Sequence, residues 1–539
     1  MMIVPLPLLG VGLLLGIGAD RHARLTKGLS LKAAWFALSG AVLAATASWG
    51  MSASHTFLAI PLPKGLGTLA LSVDVNRLTV LMLGLVALIG MITVLFSSTY
   101  LRGELHEGQF HRWLSLALGS LLMLIVSDNM WAFLIFWIVT SLGLHRLLAV
   151  CHERPTTLLA ARKTFWVHRT ADVSLMAALV LITRSLHTSQ FASVGPALGR
   201  LHGSLPAPLQ IACGLLLLSA MLKSAPFPFH GWIGQVMEAP TPVSAVLHAG
   251  IIYVGAFLLL RMVSLMLRVA WAGDLLIVVG LTSIITASLM MMTATTIKGS
   301  LTYSTSAQMG FMLMECGLGL YSLALLHIVA HAVYKAHAFL ASGSVVDHFR
   351  VPVVPTAPYT ATLRKAIPSL LMALGIVIAT AIVFAVPLLH QPQLIVMGFI
   401  LTVAISRLLG HAFTLKQTGA RSLGKMIILS AVISVAYFGL ARAFATLFGT
   451  ILPTSQGSAG VVYDGLLGLI IVAFAGLWLV QPLLPRILRH PVGQALYVHL
   501  YNDLYIDRVL TRLVRTARPA SAANPPQAAQ REQRWKAMS

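Results

Sequence analysis

The amino-acid sequence predicts an all-α fold, a polytopic bundle of about 13 to 15 transmembrane helices with discontinuous segments. Three observations carry that expectation. Over 539 residues, 58% are hydrophobic and 10% charged, with a mean hydropathy of +0.86, far more apolar than a soluble domain. Windows of about 20 apolar residues, the length that crosses a hydrocarbon core, recur along the whole chain. Finally, the apolar stretch 221–261, MLKSAPFPFHGWIGQVMEAPTPVSAVLHAGIIYVGAFLLLR, holds Lys223, His230, Glu238 and His248 among Pro226, Pro228, Pro240 and Pro242. Each proline removes a backbone donor, and broken backbone persists in a bilayer only where protein or cavity water satisfies the freed groups. The stretch therefore predicts a broken helix around a buried lysine.

In chain order, the apolar windows fall near 2–19, 33–50, 78–96, 113–127, 129–150, 164–184, 208–224, 243–262, 273–294, 300–319, 321–343, 366–388, 392–410, 425–447 and 461–482. The first, MMIVPLPLLGVGLLLGIGAD, lacks a basic leading region and a small-residue cleavage site, so it reads as a retained span. Residues 1–112 form an N-terminal group of spans, 113–348 a core with its break near 221–242, and 349–482 a C-terminal group. Alternate loops are basic, which by the positive-inside rule puts the N-terminus outside and the C-terminus in the cytoplasm. The loops at 184–208 and 261–273 go against that rule, because they carry Arg184, Arg200, Arg261 and Arg268. Beyond the last span, 483–516 has Tyr497, Leu500, Tyr501, Leu504 and Tyr505 at helical spacing, with arginines following, as an amphipathic helix at a membrane surface or against a partner does. Residues 517–539 are polar and proline-containing, the composition of a disordered tail.

The formal charge of +22 sits in short loops and the tail rather than in one patch with aromatic platforms, which argues against nucleic acid as a partner and for the lipid bilayer. Cys151, Cys213 and Cys316 have no paired or Cys/His spacing, so neither a disulfide framework nor a metal site is expected.

Ionisable groups at membrane depth are costly and mark ion paths. A buried Lys223 loses the hydration of its charged form and can then accept and release a proton near neutral pH, although a lysine locked permanently to a carboxylate is the plainer alternative. His248, one span later, suits proton exchange, or is a hydrogen-bonded core histidine. His327, His331 and Lys335 follow each other at i, i+4 steps and share one helix face, while His337 lies off that stripe. These two groups echo each other, as the halves of repeat-built transporters do. Arg169 and Asp172, three residues apart, can pair either as a strut or as a coupling element. Glu315 is a candidate relay, and Glu238 a cap at the proline break. No residue reads as catalytic.

The residues in KSAPFPFHGWIGQVMEAPTPVSAVLHAG, with SDN at 127–129, KTFWVHRTADV at 163–173, IKGSLTYSTSAQMGFM at 297–312 and HAVYKAHAFLASGSV at 331–345, resemble the proton-conducting membrane transporter family, the antiporter-like subunits of complex I and Mrp antiporters. The resemblance implies an antiporter-like fold with Lys223 as channel lysine, His248 as connecting relay, and His331 with Lys335 on the central axis. It also shows two departures. The family's glutamate after a tryptophan is replaced here by Ile138 after Trp137, with no acid in 130–150, and its phenylalanine-rich, lysine-bearing segment is absent from 349–365. The large complex I member of the family continues into a long lateral helix and a further span, whereas this sequence has a short amphipathic segment there, and a chain shortened in this way is similar to the membrane subunits of DAB inorganic-carbon transporters. That implies a transporter subunit rather than an enzyme, in which H+ or Na+ flow drives CO2 hydration to bicarbonate in a cytoplasmic, zinc-holding partner resembling a beta-type carbonic anhydrase. This chain then needs no cofactor of its own. The alternative is a cation-translocating subunit of a respiratory or Mrp-type assembly.

Overall fold

The computed structural model describes residues 1–14, 18–63, 65–150, 155–234, 236, 239–343, 363–387, 391–414, 420–454 and 460–516. In order, α1 (Leu6–Leu14) and α2 (Ala23–Ser48) precede a hairpin of β1 (Ala53–Pro61) and β2 (Thr68–Val75). Then come α3 (Arg77–Tyr100), α4 (Glu107–Val126), α5 (Met130–Ala149), α6 (Pro155–Leu186) and α7 (Ala207–Ser224). The eighth pass is split into α8 (Thr241–Ala249) and α9 (Val254–Arg261), followed by α10 (Ala270–Thr293), α11 (Ile297–Gly317) and α12 (Tyr321–Leu340). The C-terminal group is α13 (Leu363–Val383), α14 (Pro392–Thr414), α15 (Ala420–Phe448) and α16 (Val461–Ile487), with α17 (Pro491–Tyr501) and α18 (Ile506–Thr516) beyond it.

Among the described residues, 13 helices are long and apolar enough to cross a membrane, and α1 and α11 fall on the two remaining windows. Helix α11 misses the apolarity criterion because Lys298, Ser300, Thr302, Ser304, Ser306, Gln308 and Glu315 interrupt it. Several of these polar groups bond to neighbouring helices, as described below. The split pass α8–α9 is buried throughout and forms the centre of the bundle. Helices α15 and α16 show Ile428, Val432 and Val472 to the surroundings, as lipid-facing helices do. Helices α10 and α11 approach backbone to backbone, because a Cβ at Gly280 would stand 2.5 Å from the Gly310 carbonyl oxygen and one at Gly317 would stand 2.6 Å from that of Gly273.

The hairpin is a departure from an otherwise helical chain. It pairs Ala53 with Val75 through to Pro61 with Thr68, antiparallel, with an irregularity between Thr56 and Leu58. Arg261 pins it. The guanidinium donates to Asp74 Oδ2 at 2.6 Å and to the Ser127 carbonyl at 2.9 Å, and lies 3.8 Å from Asp128 Oδ1. Burial pushes the Asp74 carboxyl above its usual range, with Arg261 pulling the other way. The SDN sequence is therefore structural: Asn129 Oδ1 caps α5 by accepting from the N–H groups of Trp131 and Ala132, and its Nδ2 donates to the Thr68 carbonyl at 2.8 Å. Arg261→Met would leave Asp74 and Asp128 together without their cation, at a cost of about 3–5 kcal/mol. A matching fall in the thermal midpoint of the detergent-solubilised protein is expected.

Two of the four arginines that go against the loop-charge rule now have local reasons. Arg261 is the hairpin clamp, and Arg268 donates to the carbonyls of Leu198, Leu201 and Gly203. Their positions answer to hydrogen bonding rather than to membrane orientation.

The segment after α16 differs from one continuous amphipathic helix. Asp503, Leu504 and Tyr505 all take left-handed φ values of 57°, 50° and 63°, which separates α17 from α18. The helical spacing of the tyrosines runs through this turn, so the sequence pattern hides it. The segment packs onto α6 and the short helix Gly231–Gly234. Residues 517–539, expected as a disordered tail, lie outside the described residues.

Candidate ion-translocation site

Lys223 sits in the last turn of α7, which ends at Ser224 because Ala225 adopts a left-handed conformation with φ of 50°. The polar groups freed at this break are satisfied by protein. Ser306 Oγ of α11 donates to the Ala225 carbonyl at 2.8 Å, the Phe227 N–H donates to Ser283 Oγ at 3.1 Å, and Trp232 Nε1 donates to the Leu222 carbonyl at 3.2 Å. That is the condition under which irregular backbone survives at membrane depth.

The lysine is buried, and its ammonium reaches three groups. It donates to Ser141 Oγ of α5, lies 4.9 Å from the centre of the Trp137 ring, and is 3.6 Å from Asp172 Oδ1 of α6. Asp172 in turn holds Arg169 at 2.7 Å, one turn earlier on the same helix. The carboxylate that is missing after Trp137 is thus supplied from α6 rather than α5. The sequence shows the Arg169–Asp172 spacing but not that Lys223 joins the pair, because that contact is made across two helices. Arg169, Asp172 and Lys223 form one cluster of two cations and one anion, with Lys223 and Asp172 buried and Arg169 partly exposed.

The second group gathers around the other break, at Gly250 between α8 and α9. His248 ends α8 and stacks on Phe339 of α12, with ring centres 4.3 Å apart and planes 13° from parallel. Its carbonyl, freed by the break, accepts from the Tyr253 hydroxyl at 2.9 Å. The same hydroxyl stands 2.7 Å from His331 Nδ1, so Tyr253 joins the two histidines. Sequence reasoning missed Tyr253, because only the fold turns its ring back across Gly250. His327 and His331 face each other at 5.9 Å between ring centres. His327 Nδ1 lies 3.0 Å from Glu315 Oε2 and its Nε2 2.9 Å from Gln308 Oε1, both on α11. Lys335 is buried one turn beyond His331 and donates to the Leu301 carbonyl at 2.8 Å and to Ser304 Oγ at 2.5 Å. His327 and Lys335 therefore line up against the polar side of α11, with His331 between them turned to Tyr253, whereas His337 is exposed. Glu238, expected as a cap at the proline break, lies outside the described residues.

Lys223, His248, His327, His331 and Lys335 thus occupy two polar clusters, one at each break. Each cluster contains side chains whose chemistry allows proton exchange, and Tyr253 supplies a hydroxyl that can donate and accept within the second. Among the described residues no group of three or more His, Cys, Asp or Glu side chains could hold a metal ion.

The comparisons with known proteins agree with this architecture. Residues 127–410 match the family described as NADH:quinone oxidoreductase/Mrp antiporter, transmembrane. The chain is 38% identical over 502 residues to the "Probable inorganic carbon transporter subunit DabB2" of Halothiobacillus neapolitanus, covering 91% of this chain and 89% of that protein. It is 34% identical over 487 residues to the "Probable inorganic carbon transporter subunit DabB" of Hydrogenovibrio crunogenus, covering 88% and 91%. To the chloroplastic NAD(P)H-quinone oxidoreductase subunit 5 of Nephroselmis olivacea it is 33% identical, over 58% of this chain and 50% of that one. Among solved structures, the Mrp complex from Dietzia sp. DQ12-45-1b superposes with a TM-score of 0.58 at 21% identity, over 99% of this chain and 59% of that chain, a likeness of fold. With the family matched over more than half its length and the two broken helices in place, the chain belongs to the NADH:quinone oxidoreductase/Mrp antiporter family of multi-pass membrane subunits.

Proposed function

We propose that this chain is the ion-conducting membrane subunit of an inorganic-carbon accumulation complex. In this reading H+ or Na+ moves between the Lys223 and His331 clusters, and its flow drives CO2 hydration in a cytoplasmic, zinc-holding partner that resembles a beta-type carbonic anhydrase. The N-terminus then faces the periplasm and the C-terminus the cytoplasm, where α17 and α18 meet the partner's side of the membrane. The observation that carries the conducting role is the buried Lys223–Asp172 pair beside a helix break, with the partly exposed Arg169 on the same carboxylate. A lysine and a carboxylate are costly to bury and are kept where charge must move. Two further buried hydroxyls without a hydrogen-bond partner, Ser224 next to Lys223 and Ser244 one turn before His248, offer places for water between the clusters.

Carbon rather than respiratory coupling is favoured by the extent of the match. The alignments take in 91% and 88% of this chain for the two carbon-transporter subunits, and 89% and 91% of those proteins, but 58% of this chain and 50% of the quinone oxidoreductase subunit. Purification of the tagged chain from native membranes is expected to bring down one soluble, zinc-containing subunit in fixed ratio. A set of small hydrophobic or iron–sulfur subunits instead would move the assignment to a respiratory assembly.

Tyr253→Phe removes the hydroxyl that holds His331 Nδ1 beside the His248 carbonyl while keeping the ring, and so leaves the His331 imidazole free to turn. Stability is expected to fall by only about 1 kcal/mol. Carbon uptake should fall by about tenfold, a barrier increase of about 1.4 kcal/mol. Labelled bicarbonate uptake and the thermal midpoint, measured on one preparation, separate the two effects.

A further inference from the structure

Between residues 483 and 516 the only acids are Asp503 and Asp507, in a segment otherwise rich in arginine. Both turn inward against the chain's own helices. Lys163 of α6, wholly buried, donates to both oxygens of Asp507 at 2.8 and 2.9 Å. Tyr303 of α11 donates its hydroxyl to Asp503 Oδ1 at 2.5 Å. The same oxygen lies 3.9 Å from His230 Nε2. His230 belongs to the turn that follows the break after Lys223; it is buried, and neither of its ring nitrogens has a hydrogen-bond partner. His168 of α6, next in sequence to Arg169 of the Lys223 cluster, is also buried with both ring nitrogens unpartnered, and its ring packs edge-on at 4.8 Å against Trp232, two residues after His230. Trp232 therefore ties the turn that meets Asp503 to the His168–Arg169 side of the Lys223 cluster.

We propose that the C-terminal segment is a working part of the translocation path. Asp503 is the acid that takes a proton from water at the cytoplasmic mouth and passes it through His230 toward Lys223. The inference rests on the reading of Lys223 as the conducting lysine, and it deepens that reading by making the ion that enters at this mouth a proton, since an imidazole relays H+ and not Na+. The step balances. A proton from water adds to Asp503 Oδ1, moves to His230 Nε2 as the carboxylate is restored, and an equivalent proton leaves from Nδ1, the other ring nitrogen. One water or a small ring shift closes the 3.9 Å gap. Asp507 is a positioning residue, which clamps the segment to Lys163 so that Asp503 stays at Tyr303.

The test uses the complete complex in phosphatidylethanolamine/phosphatidylglycerol vesicles with a pH-sensitive dye inside. Asp503→Asn and His230→Gln are each expected to lower proton flux by at least about tenfold with the partner subunit still bound, and Asp503→Glu to recover it. Lys163→Met and Asp507→Asn should each lower flux, and the double variant should be no worse than either single one, as a shared clamp requires. Lys223→Arg serves as the reference. If it abolishes flux while Asp503→Asn or His230→Gln conducts like the unaltered complex, the path through Asp503 is overturned and the Lys223 reading stands. If Lys223→Arg conducts normally, the Lys223 reading falls and this inference with it.

Discussion

Lys223→Ala is expected to abolish carbon-dependent growth in air while the complex still assembles. The reason lies in what remains. Asp172 keeps Arg169 at 2.7 Å, so the removal of the ammonium leaves a closed one-to-one ion pair instead of an orphaned charge. The vacated space is bordered by the Trp137 ring and Ser141, and loss of the lysine stem there costs packing rather than electrostatics. Transport should drop at least about a hundredfold, since the one group of the cluster that can give up and regain a proton is gone. Lys223→Arg should fail almost as fully, because a guanidinium holds its proton throughout. Uptake of labelled bicarbonate near the unaltered level in either variant would remove Lys223 from the path.

Asp172→Asn is expected to behave differently, with loss of both function and assembly. Here the anion disappears, and Lys223 and Arg169 are left facing each other across a neutral amide inside the bundle. Breaking a buried pair in this way costs about 3–5 kcal/mol, a large share of the stability of any fold. The amount of complex recovered from membranes should fall along with uptake, whereas Lys223→Ala reduces uptake alone. Adding Lys223→Met to Asp172→Asn should restore recovery but not transport, since one of the two unbalanced cations is then removed. Equal recovery of the two single variants would argue that Asp172 is not the counter-charge of Lys223.

Most of the architecture was legible because apolar windows and proline breaks are local signals. All fifteen windows coincide with helices, even α11, whose polar residues hide it from a simple hydropathy criterion. The three α12 groups were legible from their i, i+4 spacing alone. What the sequence hides is every contact that depends on two distant elements. Asp172 is visible as a partner of Arg169 three residues away, but its role toward Lys223 needs α6 beside α7. Tyr253 reads as an ordinary aromatic in an apolar run until the Gly250 break turns it toward His331. Asp503 and Asp507 look like solvated charges in a basic tail, and only the left-handed turn between α17 and α18 directs them inward. The hairpin went unseen because β1 and β2 fall between the apolar windows, where the reading by helical spans stops.

Arg261 closes a contact with Asp74 across 187 positions, and Arg77 at the start of α3 donates to the Leu447 carbonyl across 370. Such separations set a timetable for synthesis. When α1 to α3 have entered the bilayer, the hairpin between them has no cation to hold it, and Asp74 has its neighbour Asn76 but not its arginine. The clamp arrives only when the ribosome has passed residue 261, and the Leu447 anchor later still, at translation rates of about 5–20 residues per second. For that interval of seconds the early spans remain an unfinished substrate, open to membrane proteases and to insertion chaperones. The last link to form, through Asp503 and Asp507, is also the one that fastens the end of the described chain to its centre, so a nascent chain released before it has made that link lacks the element proposed to feed its proton path.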